Sequence, residues 1–305
     1  MAACGMSEDG YIKMRGITPK VETALGEVGD VKVGPEDPVA LSAAIDKIFK
    51  EYIVRLRTLD WMEKVYFTER IRDPFVRHFS WAIPYSKTLA ALALRLKEYS
   101  RILEVGAGTG LWAHLLKELH EIPVVATDQS DGNYRQGWVQ HRQHRYCSVE
   151  VIDAVSAIEK YNPEVLILIW APFSHPDSPY QEPPMATNSL KAFKGNILVW
   201  IGEPPGGCTA DDFFFEELHS NWERIDDIGI PSWYQIDDSC SIWKRNESAS
   251  TDVAGGGGAT AVAEVAEAAV AEAAVAEAAV AEAAVAEAAV AEAAVAEAAV
   301  AEETT

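Results

Sequence analysis

Residues 103–110 read LEVGAGTG, with glycines at 106, 108 and 110. Glycine at alternate positions lets the backbone turn with positive φ and leaves it bare where a ligand approaches closely. Before this turn, RILEV (101–105) is an apolar run of strand type. After it, Leu111, Trp112, Leu115, Leu116 and Leu119 recur at helical spacing. A glycine turn between strand and helix aims the free N–H groups of the helix start at a ligand. Two acids extend the constellation. Asp128 ends the strand-like PVVATD (123–128), and Asp153 ends VEVID (149–153). An acid at the carboxyl end of a parallel strand can accept hydrogen bonds from ribose hydroxyls, and open α/β sheets bind ligands at that edge. The alternative role for both acids is that of a turn or cap residue. A dinucleotide fingerprint, G-x-G-x-x-G, would require glycine at 111, where Leu111 stands, and this disfavours a dehydrogenase.

A second group of residues follows two later apolar runs. WAPFSHPDSPYQEPP (170–184) carries five prolines and three aromatics, a stiff irregular wall suited to a pocket. His175 within it has the intrinsic basicity of a general base, against the alternative of a surface histidine. Glu203, in GEPPGG, could bind a substrate cation or cap a loop, and Cys208 beside it suits packing better than nucleophilic attack. Trp81 could stack on a ligand or serve the core. QHRQHRY (140–146) is a local cationic strip, a phosphate site or a solvated face.

The elements that must position these groups alternate. Asp37-Pro38 starts a helix, with Asp37 as N-cap, and Leu41, Ile45, Ile48, Phe49, Tyr52 and Leu56 form its apolar face. Further helical stretches cover about 59–72 and 86–98, separated at Pro84. From residue 101, strands at 101–105, 123–128, 149–153, 164–170 and 196–201 alternate with helices at 111–120, through Lys160, and at 209–220. The run EVLILIW is apolar throughout, as central parallel strands are. Residues 222–245 read as two strands joined by a Pro-containing loop, which adds antiparallel pairing at one side.

On LEVGAGTG, Asp128 and Asp153, residues 99–245 resemble the seven-stranded class I S-adenosylmethionine-dependent methyltransferases, and the stretches SWAIP (80–84), LEVGAGTG and IGEPPGGCTADDFFF (201–215) resemble a little-characterised methyltransferase-like group. The resemblance implies an α/β fold, with a Rossmann-like, mostly parallel seven-stranded sheet flanked by helices. It also implies S-adenosylmethionine as cofactor, held by Glu104, Gly106, Gly108, Gly110, Asp128 and Asp153. WAPF is similar to the N/D-P-P-Y/F loop of amino-group methyltransferases, but Trp170 and Ala171 replace its polar residue and first proline. His175 and Glu203 are the catalytic candidates, on an acceptor that the resemblance does not name. The competing functions are a non-catalytic binding protein that keeps the fold, and an aminopropyltransferase, for which the loop offers only Asp177 and Glu182 as an acidic clamp.

Composition narrows the partners. The formal charge is −21, and the tail carries ten glutamates (Glu264 to Glu303) without Lys or Arg, which leaves about −11 on the rest. An acidic body does not attract phosphate backbones non-specifically, so a small molecule or protein side chain is favoured as acceptor over bulk nucleic acid. The four cysteines form no C-x-x-C pair, which argues against zinc or a disulfide framework, and no metal is expected. The N-terminus lacks a signal-peptide pattern and no long uncharged apolar run occurs, so the expectation is a cytoplasmic or nuclear protein without a membrane span. The expected organisation is a mostly disordered segment 1–36, a helical cap 37–98, the methyltransferase-like domain 99–246, a flexible linker 247–258 and an AVAEA-repeat tail 259–305.

Overall fold

The computed structural model describes residues 19–28, 37–130, 133–134, 141–142, 144–173 and 184–246. The expectations for His175, the linker and the repeat tail lie outside the described residues.

The N-terminal part is helical. α1 spans Pro19–Val28, α2 Pro38–Leu56, α3 Trp61–His78 and α4 Ser86–Leu96. Asp37 caps α2 as expected, accepting from the Ala40 N–H at 2.7 Å. Asp60 and Glu63 form a reciprocal capping box at the start of α3. Two elements differ from the sequence expectation. α1 lies within the segment expected to lack structure, and it buries Val21 and Ala24 completely or nearly so in the core shared with α2 and α3. Its tertiary packing outweighs a weak local signal. α3 runs past the expected end at 72 and through Pro74, because Phe75 beyond it packs on Phe79 (ring centroids 4.8 Å apart) and Trp233 (5.2 Å). Burial of that ring offsets the roughly 3 kcal/mol that proline costs inside a helix.

The α/β part alternates as expected: β1 Ile102–Val105, α5 Leu111–His120, β2 Val124–Asp128, β5 Val149–Val151, α6 Ala154–Tyr161, β6 Val165–Ile169, α7 Met185–Ala192, β7 Ile197–Gly202, α8 Asp212–Asn221, β8 Trp222–Ile228 and β9 Ser239–Arg245. A small antiparallel pair, β3 Asn133–Tyr134 and β4 His141–Arg142, and helix α7 were not foreseen. Eight mixed residues after a proline offer no apolar stripe long enough to stand out.

Seven strands form one sheet in the order β5-β2-β1-β6-β7-β9-β8. The first five are parallel, and β9 runs antiparallel between β7 and β8. The chain winds outward from β1 in one direction and from β6 in the other, so their carboxyl ends form the switch point where open sheets bind ligands. Strand periodicity divides the core. Ile102, Val165, Ile167, Val199 and Ile242 face α2 to α5, while Leu103, Leu166, Leu168, Leu198 and Trp200 face α6, α7 and α8. Among the described residues, no helix is long and apolar enough to cross a membrane.

Candidate functional site

The glycine turn joins β1 to α5 as the spacing requires. Gly106, Gly108 and Gly110 have φ of 70°, 54° and 70°, all in the left-handed region. At Gly110 a Cβ would also stand 2.7 Å from Cys147 Sγ and 2.8 Å from Val149 Cγ2, so a side chain is excluded on two counts. The turn is anchored on both flanks. The Ala107 N–H donates to Thr127 O at 2.9 Å, and the Thr109 hydroxyl donates to Phe79 O at 2.6 Å. The second bond ties the turn to the end of α3, so the helical cap helps to shape the site.

Two buried carboxyls face this turn. Asp128, at the end of β2, accepts from the Gly108 N–H through Oδ2 and from the Ser130 N–H through Oδ1, both at 2.8 Å. Glu104 sits inside β1 at 2 % exposure, and its Oε2 accepts from the Ala113 N–H at 3.2 Å in the first turn of α5. Burial pushes the Glu104 carboxyl up to about 8. The Ala113 bond opposes that shift, and the neighbouring charge of Asp128 adds to it. Asp153 takes another position. β5 ends at Val151, and Asp153 stands exposed as the N-cap of α6, accepting from the Ser156 N–H at 3.0 Å. That bonding holds its carboxyl below the usual range.

The second edge of the switch point lies at β6 and β7. Trp170, directly after β6, has φ of 50° and donates its indole N–H to Asp238 Oδ1 at 2.7 Å. Its ring stacks on Trp81, with centroids 4.7 Å apart and planes 9° apart. Trp81 therefore meets the sheet edge rather than the interior, although its carbonyl accepts from the Trp233 indole N–H at 3.2 Å. Glu203, directly after β7, is buried and closes the 204–208 turn by accepting from the Cys208 N–H at 2.6 Å, while its other oxygen takes the Asp237 N–H at 3.4 Å. Both Glu203 oxygens thus hold backbone. The connection between β8 and β9 folds over these strand ends and delivers Asp238, which is 9 % exposed. Burial pushes its carboxyl up to about 7, against the Trp170 bond, with help from Glu203 and Asp237.

The glycines, Asp128 and Glu203 lie at the carboxyl ends of the strands, with Glu104 inside β1 beneath them; sequence reasoning did not single out Asp238, which packs at the same end. Its signal in the sequence is one acid among several in a terminal strand pair. Of the cationic strip, Arg145 is engaged with backbone. Arg145 donates to Val149 O at 2.8 Å and to Ser130 O at 2.5 Å, which holds the loop to β2 and β5. The Cys147 thiol is pushed up to about 11, mainly by burial, so it is not a reactive nucleophile. Among the described residues, no group of three or more His, Cys, Asp and Glu could hold a metal ion.

No protein-family model matches the chain, and no curated protein matches it in sequence. Among solved structures it is similar to a mutant of MtNAS in complex with S-adenosylmethionine, at 12 % identity and TM-score 0.36, over 80 % of this chain and 94 % of that one. It is similar to the S-adenosylmethionine-dependent methyltransferase SibL in its apo form, at 12 % identity and TM-score 0.34, over 79 % and 78 %. It spans only 50 % of the length of a third, SMU.776 complexed with SAH, at 8 % identity and TM-score 0.33, over 53 % of this chain. All three likenesses are remote.

Proposed function

We propose that the chain is an S-adenosylmethionine-dependent methyltransferase acting on a small molecule or a protein side chain. The observation that carries this is the charge at the glycine turn. Glu104 and Asp128 are both buried there, at 2 % and 5 % exposure. A pyrophosphate brought to such a turn would meet the Asp128 carboxylate at short range, where low dielectric strengthens repulsion, and would hold Glu104 protonated. A ligand carrying a sulfonium and an ammonium meets one group of opposite sign in Asp128 and a second, Glu104, that its charge would ionise.

The residues present fit such a ligand. Gly106, Gly108 and Gly110 hold the turn in the left-handed region on the methionine side. Asp128 holds one N–H on each oxygen and keeps lone pairs for ribose hydroxyls. Glu104 lies beneath the turn as a carboxyl that a nearby cation would ionise. Asp153 stands two residues beyond β5, on the side assigned to adenine, with its carboxyl already engaged in capping. When bound, this cofactor supplies a methyl group on positively charged sulfur, open to in-line displacement. The protein's part is to hold the acceptor in line at the β6 and β7 edge and to exclude water. The net charge of −21 disfavours bulk nucleic acid as the acceptor.

Calorimetry of the full chain with S-adenosylmethionine, S-adenosylhomocysteine and NAD tests this reading. Saturable binding of the first two without the third is expected. Binding of NAD alone, or of none of them, would overturn it.

A further inference from the structure

The carboxyl of Asp238 is engaged on one side only. Oδ1 accepts from the Trp170 indole, while Oδ2 is buried and has no hydrogen-bond partner among the described residues. A buried carboxyl oxygen without a donor is unfavourable unless some other group donates to it. The charged neighbours do not relieve it, because Glu203 and Asp237 are acids themselves. Glu203 adds negative charge without competing as a ligand, since backbone N–H groups hold both of its oxygens. The stacked indoles of Trp81 and Trp170 are half-buried beside these acids. Trp170 holds its left-handed φ although it is bulky, fixed by its N–H to Ile201 O at 2.8 Å and by its indole bond. Strain of this kind persists where surrounding structure enforces it, and it clusters at ligand sites.

We propose that this cluster is the acceptor subsite, on the methyltransferase reading above, and that it recognises an organic cation bearing N–H, a primary or secondary ammonium group. Its N–H donates to Asp238 Oδ2, its charge is met by Asp238 and Glu203, and its carbon stem lies along the indoles. Charge-assisted donors suit a carboxylate, and indole faces attract cations. A neutral hydroxyl would satisfy Oδ2 but leave the two acids uncompensated. A metal ion lacks ligands here, since no group of three or more candidate ligands occurs among the described residues.

The test is an NMR titration of the full chain with n-butylammonium chloride, followed at the indole N–H resonances. n-Butanol serves as the uncharged match and tetramethylammonium as the cation without N–H. The Trp170 resonance, identified by its loss in Trp170→Phe, is expected to shift saturably with n-butylammonium. Responses to either match, and to n-butylammonium in Asp238→Asn, should be weaker by about tenfold or more, the loss typical of one charge-assisted bond. The amide oxygen of the Asp238→Asn variant would still accept from the Trp170 indole, and the three-probe comparison on the unaltered chain stands even if the variant fails to fold. No saturable shift, an equal response to n-butanol or tetramethylammonium, or unchanged binding in Asp238→Asn overturns the proposal. Calorimetry with S-adenosylmethionine on the same samples separates the two readings. Ammonium binding without cofactor binding removes methyl transfer and with it the acceptor role. Cofactor binding without an ammonium response removes the cation site alone.

Discussion

At the β1–β2 edge of the sheet, the groups offered to a ligand are glycine backbone and two acids, all drawn from residues 104–128. At the β6–β7 edge they are indoles and carboxyls from residues 81, 170, 203 and 238. The first edge is made by chain conformation, because three left-handed glycines set its shape. The second is made by contacts between segments far apart in sequence, which only packing can bring together. Both hide a carboxyl whose affinity for a proton is raised by burial, Glu104 to about 8 and Asp238 to about 7. On the two proposals above, a positive ligand is the complement in each case. The edges differ in what surrounds that acid, namely a glycine turn in one and aromatic faces in the other.

The largest expected effect tests the buried acid that each edge contains. The folded state binds a proton at Glu104 more tightly than the unfolded chain, so its contribution to stability is full below about 4.5 and is lost as pH rises through about 8. Glu104→Gln should flatten that decline, raising stability at pH 8 to 9 by an amount on the order of a few kcal/mol in urea titrations. Asp238→Asn should flatten a smaller decline between the ordinary aspartate range and about 7. A decline unchanged in both variants would mean that neither acid is held neutral. The same logic predicts proton release when S-adenosylmethionine binds at pH 7, seen as a calorimetric enthalpy that varies with the buffer's ionisation heat.

Next in size is the conformational device of the first edge. Gly110→Ala adds a Cβ against Cys147 and Val149 at positive φ, and should cost about 2–4 kcal/mol of unfolding free energy in denaturant. A cost near zero would show that the turn can relax, and the contrast between a rigid backbone edge and a side-chain edge would fall.

Asp128→Ala should weaken S-adenosylmethionine binding by about 1.5–3 kcal/mol, as expected for lost charge-assisted hydrogen bonds, and also free the Gly108 N–H. Calorimetry showing unaltered affinity would remove Asp128 from the site. The smallest effect belongs to the second edge. Trp170→Phe keeps an aromatic ring over Trp81 but takes the indole donor away from Asp238, and should cost about 1–2 kcal/mol of thermal stability. Unchanged melting would show that the indole bond does not hold this edge together.

These differences explain which features were legible beforehand. Helix α2 follows from Asp37, Pro38 and a regular apolar stripe, and the central strands from unbroken aliphatic runs such as VLILI. Helix α1 was missed because its apolar residues are few, and Val21 and Ala24 gain their burial only against α2 and α3. The continuation of α3 through Pro74 was missed because the compensation comes from Trp233, far along the chain. At the β6 edge, Trp170 replaces the polar residue of the amino-group loop it resembles. Asp238, from the β8–β9 connection, was missed because only packing brings it to the Trp170 indole.

By itself the sequence determined the alternation of strands and helices, the glycine turn and the acid at the end of β2, because each depends on local φ preference, on periodicity, or on spacing within one βαβ unit. Only the tertiary structure decided that Glu203 takes the Asp237 N–H and that Asp238 meets Trp170, which stacks on Trp81. Those outcomes depend on long-range packing and on the low dielectric it creates. A buried acid is recognisable as such only once its neighbours are in place.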